Sequence, residues 1–191
     1  PYVGNNGLGG SLGIELLGDV SLSSSFSSLN PGLIAWIDVY LRPVFGDVSD
    51  LPLSFGGGEA FRTGFVENGA NGAVYVLNGF GDGSGQWLDS GSSVSVDADG
   101  VSTNWIRLTY RIDYSLGLWD MYWNGALQII DLGLLNIGAS TLSNFEVIGT
   151  QTFPTLLDQF TAGYINPLFP DYDNDGIEDT YEVAEGMDVT V

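Results

Sequence analysis

The sequence has no cysteine, no histidine and no lysine, and its only cations are four arginines set against 24 aspartates and glutamates. Each absence removes a class of chemistry. Without Cys and His there is no thiolate nucleophile, no imidazole base and no ordinary zinc site. A formal charge of -20 with so few cations excludes a phosphate backbone or an anionic membrane surface as partner, since both demand clustered Lys and Arg. No apolar run approaches the 18 or more residues of a membrane-spanning helix. Pro1 is not an initiator, so processing or trimming of the chain is expected.

What is present is glycine, 28 residues of it, spaced between short apolar segments that alternate with period two; a sustained 3.6-residue period is missing. The 191 residues suit one domain with a sizeable core. The alternation predicts strands over 11–17, 20–25, 34–41, 60–66, 73–77, 92–96, 105–114, 119–123, 126–132, 145–150 and 157–165. Asn68-Gly69, Asn71-Gly72, Asn78-Gly79 and Asn124-Gly125 are expected as hairpin turns, because both positions of such a turn need positive φ. Together these signals predict an all-β, antiparallel sandwich.

The sharpest chemical motif is Asp171-Tyr-Asp-Asn-Asp-Gly-Ile-Glu-Asp-Thr-Tyr-Glu182. Carboxylates fall at positions 1, 3, 5, 9 and 12 with glycine at 6, the ligand order of a calcium loop. Ca2+ takes six to eight oxygens, so Asp171, Asp173, Asp175, the Ile177 carbonyl, Asp179 and Glu182 are the expected ligands, with Gly176 making the sharp turn. Pro167 and Pro170 stand where an entering helix would run, and Glu178 occupies the position where a paired loop carries an apolar residue. The segment therefore resembles the single calcium loops of thrombospondin type 3 repeats rather than a helix–loop–helix pair.

A second resemblance covers residues 11–167. Asn104-Trp-Ile-Arg-Leu-Thr-Tyr-Arg-Ile-Asp-Tyr followed by Leu118-Trp-Asp-Met-Tyr-Trp-Asn-Gly is similar to the hairpin of laminin-G-like, concanavalin A-like jelly rolls; Trp36-Ile-Asp-Val-Tyr-Leu-Arg-Pro resembles an early strand of such modules and Leu157-Asp-Gln-Phe-Thr-Ala-Gly their closing strand. The resemblance implies a jelly-roll sandwich. Hydrolases of that fold share a strand "E-x-D-x-x-E", which is missing here: Asp38, Asp113 and Asp120 each stand alone on a predicted strand. No catalytic residue is named, and the chain is expected not to be an enzyme. Modules of this fold often bind glycans through exposed aromatics. Of Trp87, Trp119, Trp123, Tyr75 and Tyr122, the expected stacking platform is Trp87, in the turn-rich stretch 79–91.

The organisation read from these features is a glycine-rich arm at 1–10, the sandwich at 11–167 and a calcium-binding loop and tail at 168–191. Calcium loops of this kind work at extracellular concentrations, which places the protein outside the cell or on its surface. A chain without lysine leaves its sheet edges unguarded, and an arm too rich in glycine to hold itself in place suits donation to a neighbouring subunit. The expected function is thus a non-catalytic structural subunit, a homo-oligomer or polymer in an extracellular filament or surface layer. Two alternatives stay open: a carbohydrate-binding or adhesive module of a larger protein, and a compact monomer whose ends dock on its own sandwich.

Overall fold

The computed structural model describes residues 2–4, 8–10, 12–17, 21–29, 34–137, 142–148, 153–169 and 186–187. The expected calcium ligands, Asp171, Asp173, Asp175, Ile177, Asp179 and Glu182, lie outside the described residues. Among the described residues there are twelve strands: β1 (Tyr2–Gly4), β2 (Gly13–Leu16), β3 (Ser21–Leu29), β4 (Ile34–Arg42), β5 (Thr63–Asn68), β6 (Asn71–Gly79), β7 (Gly85–Ser95), β8 (Ile106–Asp113), β9 (Leu118–Trp123), β10 (Ala126–Gly133), β11 (Leu142–Ile148) and β12 (Thr155–Gly163).

One layer is a seven-stranded sheet in the order β1-β2-β12-β4-β8-β9-β10. The other is made of two separately hydrogen-bonded groups, β5-β6-β7 and β11-β3. All named strand pairs are antiparallel. Period-two alternation explains the packing. Ala35, Ile37, Val39 and Leu41 of β4, and Ile106, Leu108, Tyr110 and Ile112 of β8, point into one core with Trp119 and Met121 of β9. Val74 and Val76 of β6 and Val147 of β11 meet them from the opposite layer. Trp119 and Tyr110 are the largest fully buried side chains, each worth about 1.5–3 kcal/mol or more by area removed from water. Phe61 packs tilted against both at 5.0–5.1 Å between ring centroids; the Tyr110 hydroxyl meets Thr63 Oγ1 at 2.9 Å and the Trp119 indole N–H donates to the Gly133 carbonyl at 3.2 Å, so the polar atoms of this aromatic centre are partnered.

Two of the expected turns are found and two are not. Gly69 (φ 65°) joins β5 to β6, and Asn124-Gly125 (φ 49° and 85°) joins β9 to β10. Asn71-Gly72 and Asn78-Gly79 instead lie inside β6. Their glycines serve close approach: the Phe45 ring packs where a Cβ on Gly72 would stand, and a Cβ on Gly79 would be 2.5 Å from the Leu134 carbonyl oxygen. There the backbone after β10 braces the two layers. Gly133 N–H donates to Asn78 Oδ1 at 2.8 Å, Gly81 N–H to Leu134 O at 3.0 Å and Leu135 N–H to Ala60 O at 2.8 Å.

Of the glycine-rich arm expected at 1–10, residues 2–4 and 8–10 are described. β1 adds to the edge of its own sheet, with Val3 opposite Ile14 of β2, and the Leu8 amide donates to Asp158 at 2.9 Å. Backbone pairing supplies what its glycines lack in side-chain contact. The opposite edge, β10, carries two register shifts against β9, between Leu127 and Ile129 and between Ile129 and Leu132. Bulges of that kind interrupt the regular row of amides and carbonyls that another chain would need.

Candidate functional site

Two surfaces gather chemistry. The first is the outer face of the seven-stranded sheet. Register places Asp38 beside Thr109, Trp36 beside Arg111 and Arg111 beside Asp120. Asp38 accepts Arg107 Nε at 2.9 and 3.1 Å, Arg107 Nη2 at 3.0 Å and Thr109 Oγ1 at 2.6 Å. Arg107 also donates to the Pro167 carbonyl at 2.8 Å, with its guanidinium 5.6 Å over the Tyr40 ring. Arg111 bridges Asp120 at 3.0 Å and Asp113 at 3.2 Å. Asp113 further accepts the Ser115 hydroxyl at 2.6 Å, which with the Leu116 amide and Arg111 holds its carboxyl below the usual carboxylate range.

The three acids that look isolated along the sequence therefore share one face, each satisfied by cations, hydroxyls or amides. A glycosidase needs one carboxyl kept protonated near neutrality beside a second that stays ionised. Here Asp113 is pushed the other way, and Asp38 is engaged by Arg107 and Thr109. These contacts tie neighbouring strands of the sheet together.

The second surface is the outer face of β5-β6-β7, where Trp87 sits. It lies on β7 opposite Leu77, not in a turn as expected from the glycines around it. Strand alternation sends Leu88 to the core and Trp87 outward, where it is half-buried. Its indole N–H donates to the Pro52 carbonyl at 2.9 Å, and the ring packs edge-on to Phe55 at 6.3 Å. Gly64 opposite Tyr75 leaves the ring room: a Cβ there would be 3.5 Å from the indole and would overlap Leu51. Arg62 lies 6.0 Å over the Phe55 ring and ion-pairs with Glu59, whose other oxygen accepts the Gly56 amide at 2.8 Å. The one-turn helix Val48–Asp50, capped reciprocally by Asp47 and Asp50, sets the course of this covering loop. Of the other aromatics, Trp119 is wholly in the core, and Tyr122 packs on Trp36 at 5.9 Å on the first surface.

Trp87, Phe55, Arg62 and Glu59 thus form an aromatic and polar cluster, with Leu53 beside it 94% exposed. Sequence reading found only Trp87. Phe55, Glu59 and Arg62 come from a loop whose path is set by contacts distant in sequence. Among the described residues no group of three acids could hold a metal.

No family model and no curated protein matches the sequence. Solved structures do match in shape. The binding domain of botulinum neurotoxin DC in complex with rat synaptotagmin II superposes with a TM-score of 0.52 at 14% identity, over 86% of this chain and 42% of that one. A structure of botulinum neurotoxin type C, whose cell entry depends on interaction with two ganglioside molecules, gives 0.50 at 14% identity over the same shares. The fold is a jelly-roll β-sandwich. The chain spans less than half the length of the two toxin chains, and at this identity the likeness speaks for the fold alone.

Proposed function

We propose that this chain is a non-catalytic, extracellular carbohydrate-binding or adhesive module that stacks a sugar on Trp87 and holds calcium in its acidic tail. The observation that carries the reading is the half-buried Trp87, its indole N–H already bonded to Pro52 O and its ring braced by Phe55. An aromatic fixed in this way presents an apolar surface to the C–H face of a sugar with little ordering left to do on binding. Arg62, over the Phe55 ring, and its partner Glu59 supply donors and an acceptor for hydroxyls of a sugar that extends past Phe55. A botulinum neurotoxin whose cell entry depends on interaction with two ganglioside molecules shares the fold, which supports glycan recognition as a use of it.

For the tail, the donor set of 171–182 is all oxygen, the chemistry a hard cation selects. Asp171, Asp173, Asp175, Asp179 and Glu182 with the Ile177 carbonyl would hold Ca2+, whose charge would offset theirs and order the segment. The Arg107–Pro167 bond supports this reading, because it fixes the chain just before that segment begins. Assembly into a filament finds less support, since β1 closes its own sheet and bulges break the β10 edge.

The test is retention of the intact chain on an array of saccharides in millimolar calcium, repeated with Trp87→Ala. Retention that falls at least about fivefold in the variant, as loss of one stacking contact of roughly 1–3 kcal/mol requires, is the expected result. An intact chain that binds no saccharide refutes the glycan reading.

A further inference from the structure

We infer that the saccharide taken at the Trp87 platform is uncharged and that sialylated or uronate-bearing chains are disfavoured; this rests on the glycan-binding reading above. The argument is one of local charge. Arg62 is the cation of the cluster, and its Nε is committed to Glu59. The pair is neutral as a unit. Asp89 projects from the same face of β7 two residues beyond Trp87, bonded to the Gly91 amide, and Asp47 and Asp50 cap the helical turn that leads to Leu51 and Pro52. Among the described residues none of these three aspartates has an arginine partner.

The remaining cations are spent elsewhere. Arg107 and Arg111 belong to the outer face of the opposite sheet, and Arg42 gives its Nε to the Ser102 carbonyl. An acidic sugar arriving at Trp87 would set its carboxylate among carboxylates that have no arginine partner among the described residues, on a chain of net charge -20, while the one arginine of the cluster is already paired with Glu59. A neutral hexose meets no such opposition. Its C–H face can lie on the indole while its hydroxyls donate to Glu59 or Asp89 and accept from Arg62.

The experiment compares retention of the intact chain on immobilised neutral oligosaccharides and on their sialylated or uronate-bearing counterparts, at low and physiological salt. Repulsion between exposed carboxylates is screened over about 8 Å at physiological salt, so the acidic series is expected to be held at least about fivefold more weakly at low salt, the gap narrowing as salt rises. A Glu59→Gln variant frees the Arg62 charge and should raise acidic relative to neutral retention by a similar factor; it serves even if Trp87→Ala fails to fold. Equal or stronger retention of acidic sugars that depends on Trp87 overturns the inference while leaving glycan binding intact. So does an unmoved ratio in Glu59→Gln. Retention of neither series removes both readings together.

Discussion

Asp38→Ala tests whether the acids on the outer face of the seven-stranded sheet are structural. Asp38 is 6% exposed and receives four contacts from Arg107 and Thr109. Truncation leaves Thr109, which is 0% exposed, with an unsatisfied hydroxyl, a loss of about 1–3 kcal/mol. It also leaves Arg107 without its counter-ion. Breaking a buried pair costs about 3–5 kcal/mol, but the Arg107 side chain keeps 24% of its exposure and its bond to Pro167, so part of its solvation is recovered. A net destabilisation of about 3 kcal/mol follows, which for a domain of this size lowers Tm by about 6–12 °C. Arg107→Leu should cost more, because the charge left behind is the better buried of the two. The double variant Asp38→Ala with Arg107→Leu should fall short of the sum of the singles by about 2 kcal/mol. Urea titration of all four proteins gives the cycle. If Asp38→Ala unfolds within about 1 kcal/mol of the parent, the network is not what holds β4 to β8, and a functional role for Asp38 returns.

Three further outcomes are expected. Gly79→Ala should lose about 3 kcal/mol by thermal unfolding, since its Cβ meets the rigid backbone of Leu134 and Leu135, whereas Gly57→Ala, with open space around it, should change stability by less than about 1 kcal/mol. Calcium should raise the Tm of the parent chain, by about 2.7 kcal/mol of stabilisation at a hundred times Kd, and Asp173→Ala with Glu182→Ala should abolish that response; isothermal titration without calcium uptake at millimolar levels would dismiss the site. Asp113 has a folded pKa below its unfolded value, so the stability it contributes is complete above about pH 4 and is lost as pH falls through the lower folded value; Asp113→Asn should flatten the acid limb of the stability curve, and an unaltered limb would show the Ser115 and Arg111 contacts to be inconsequential.

Alternation made the sandwich legible. Every strand expected from 11–165 has its counterpart from β2 to β12, because one face of each strand must be apolar and a slip of one residue would invert it. What alternation cannot show is why a glycine is there. Asn124-Gly125 and Asn78-Gly79 look alike in sequence, yet one needs positive φ and the other needs an absent Cβ against Leu134. The glycines flanking Trp87 hid a strand for the same reason. The convergence of Asp38, Asp113 and Asp120 depends on register between β4, β8 and β9, and the Phe55–Arg62–Glu59 surround depends on a loop crossing a sheet; neither leaves a local trace. The calcium loop expected at 171–182 is a contiguous pattern that spacing alone suggests, and it lies outside the described residues.

The distribution of charge ties these readings together. Six acids, Asp171, Asp173, Asp175, Glu178, Asp179 and Glu182, fall within twelve residues of a chain carrying -20 overall. One divalent ion cancels two charges of that total, too few to relieve the repulsion of the whole surface, whereas within the loop it offsets a third of the local charge. Calcium stabilisation, on the proposed reading, would therefore be local to the segment that follows Pro167, different in kind from the screening that monovalent salt provides to the rest of the surface. Added sodium chloride should stabilise the sandwich a little in the parent and in Asp173→Ala with Glu182→Ala alike, and it should not reproduce the rise in Tm expected from calcium.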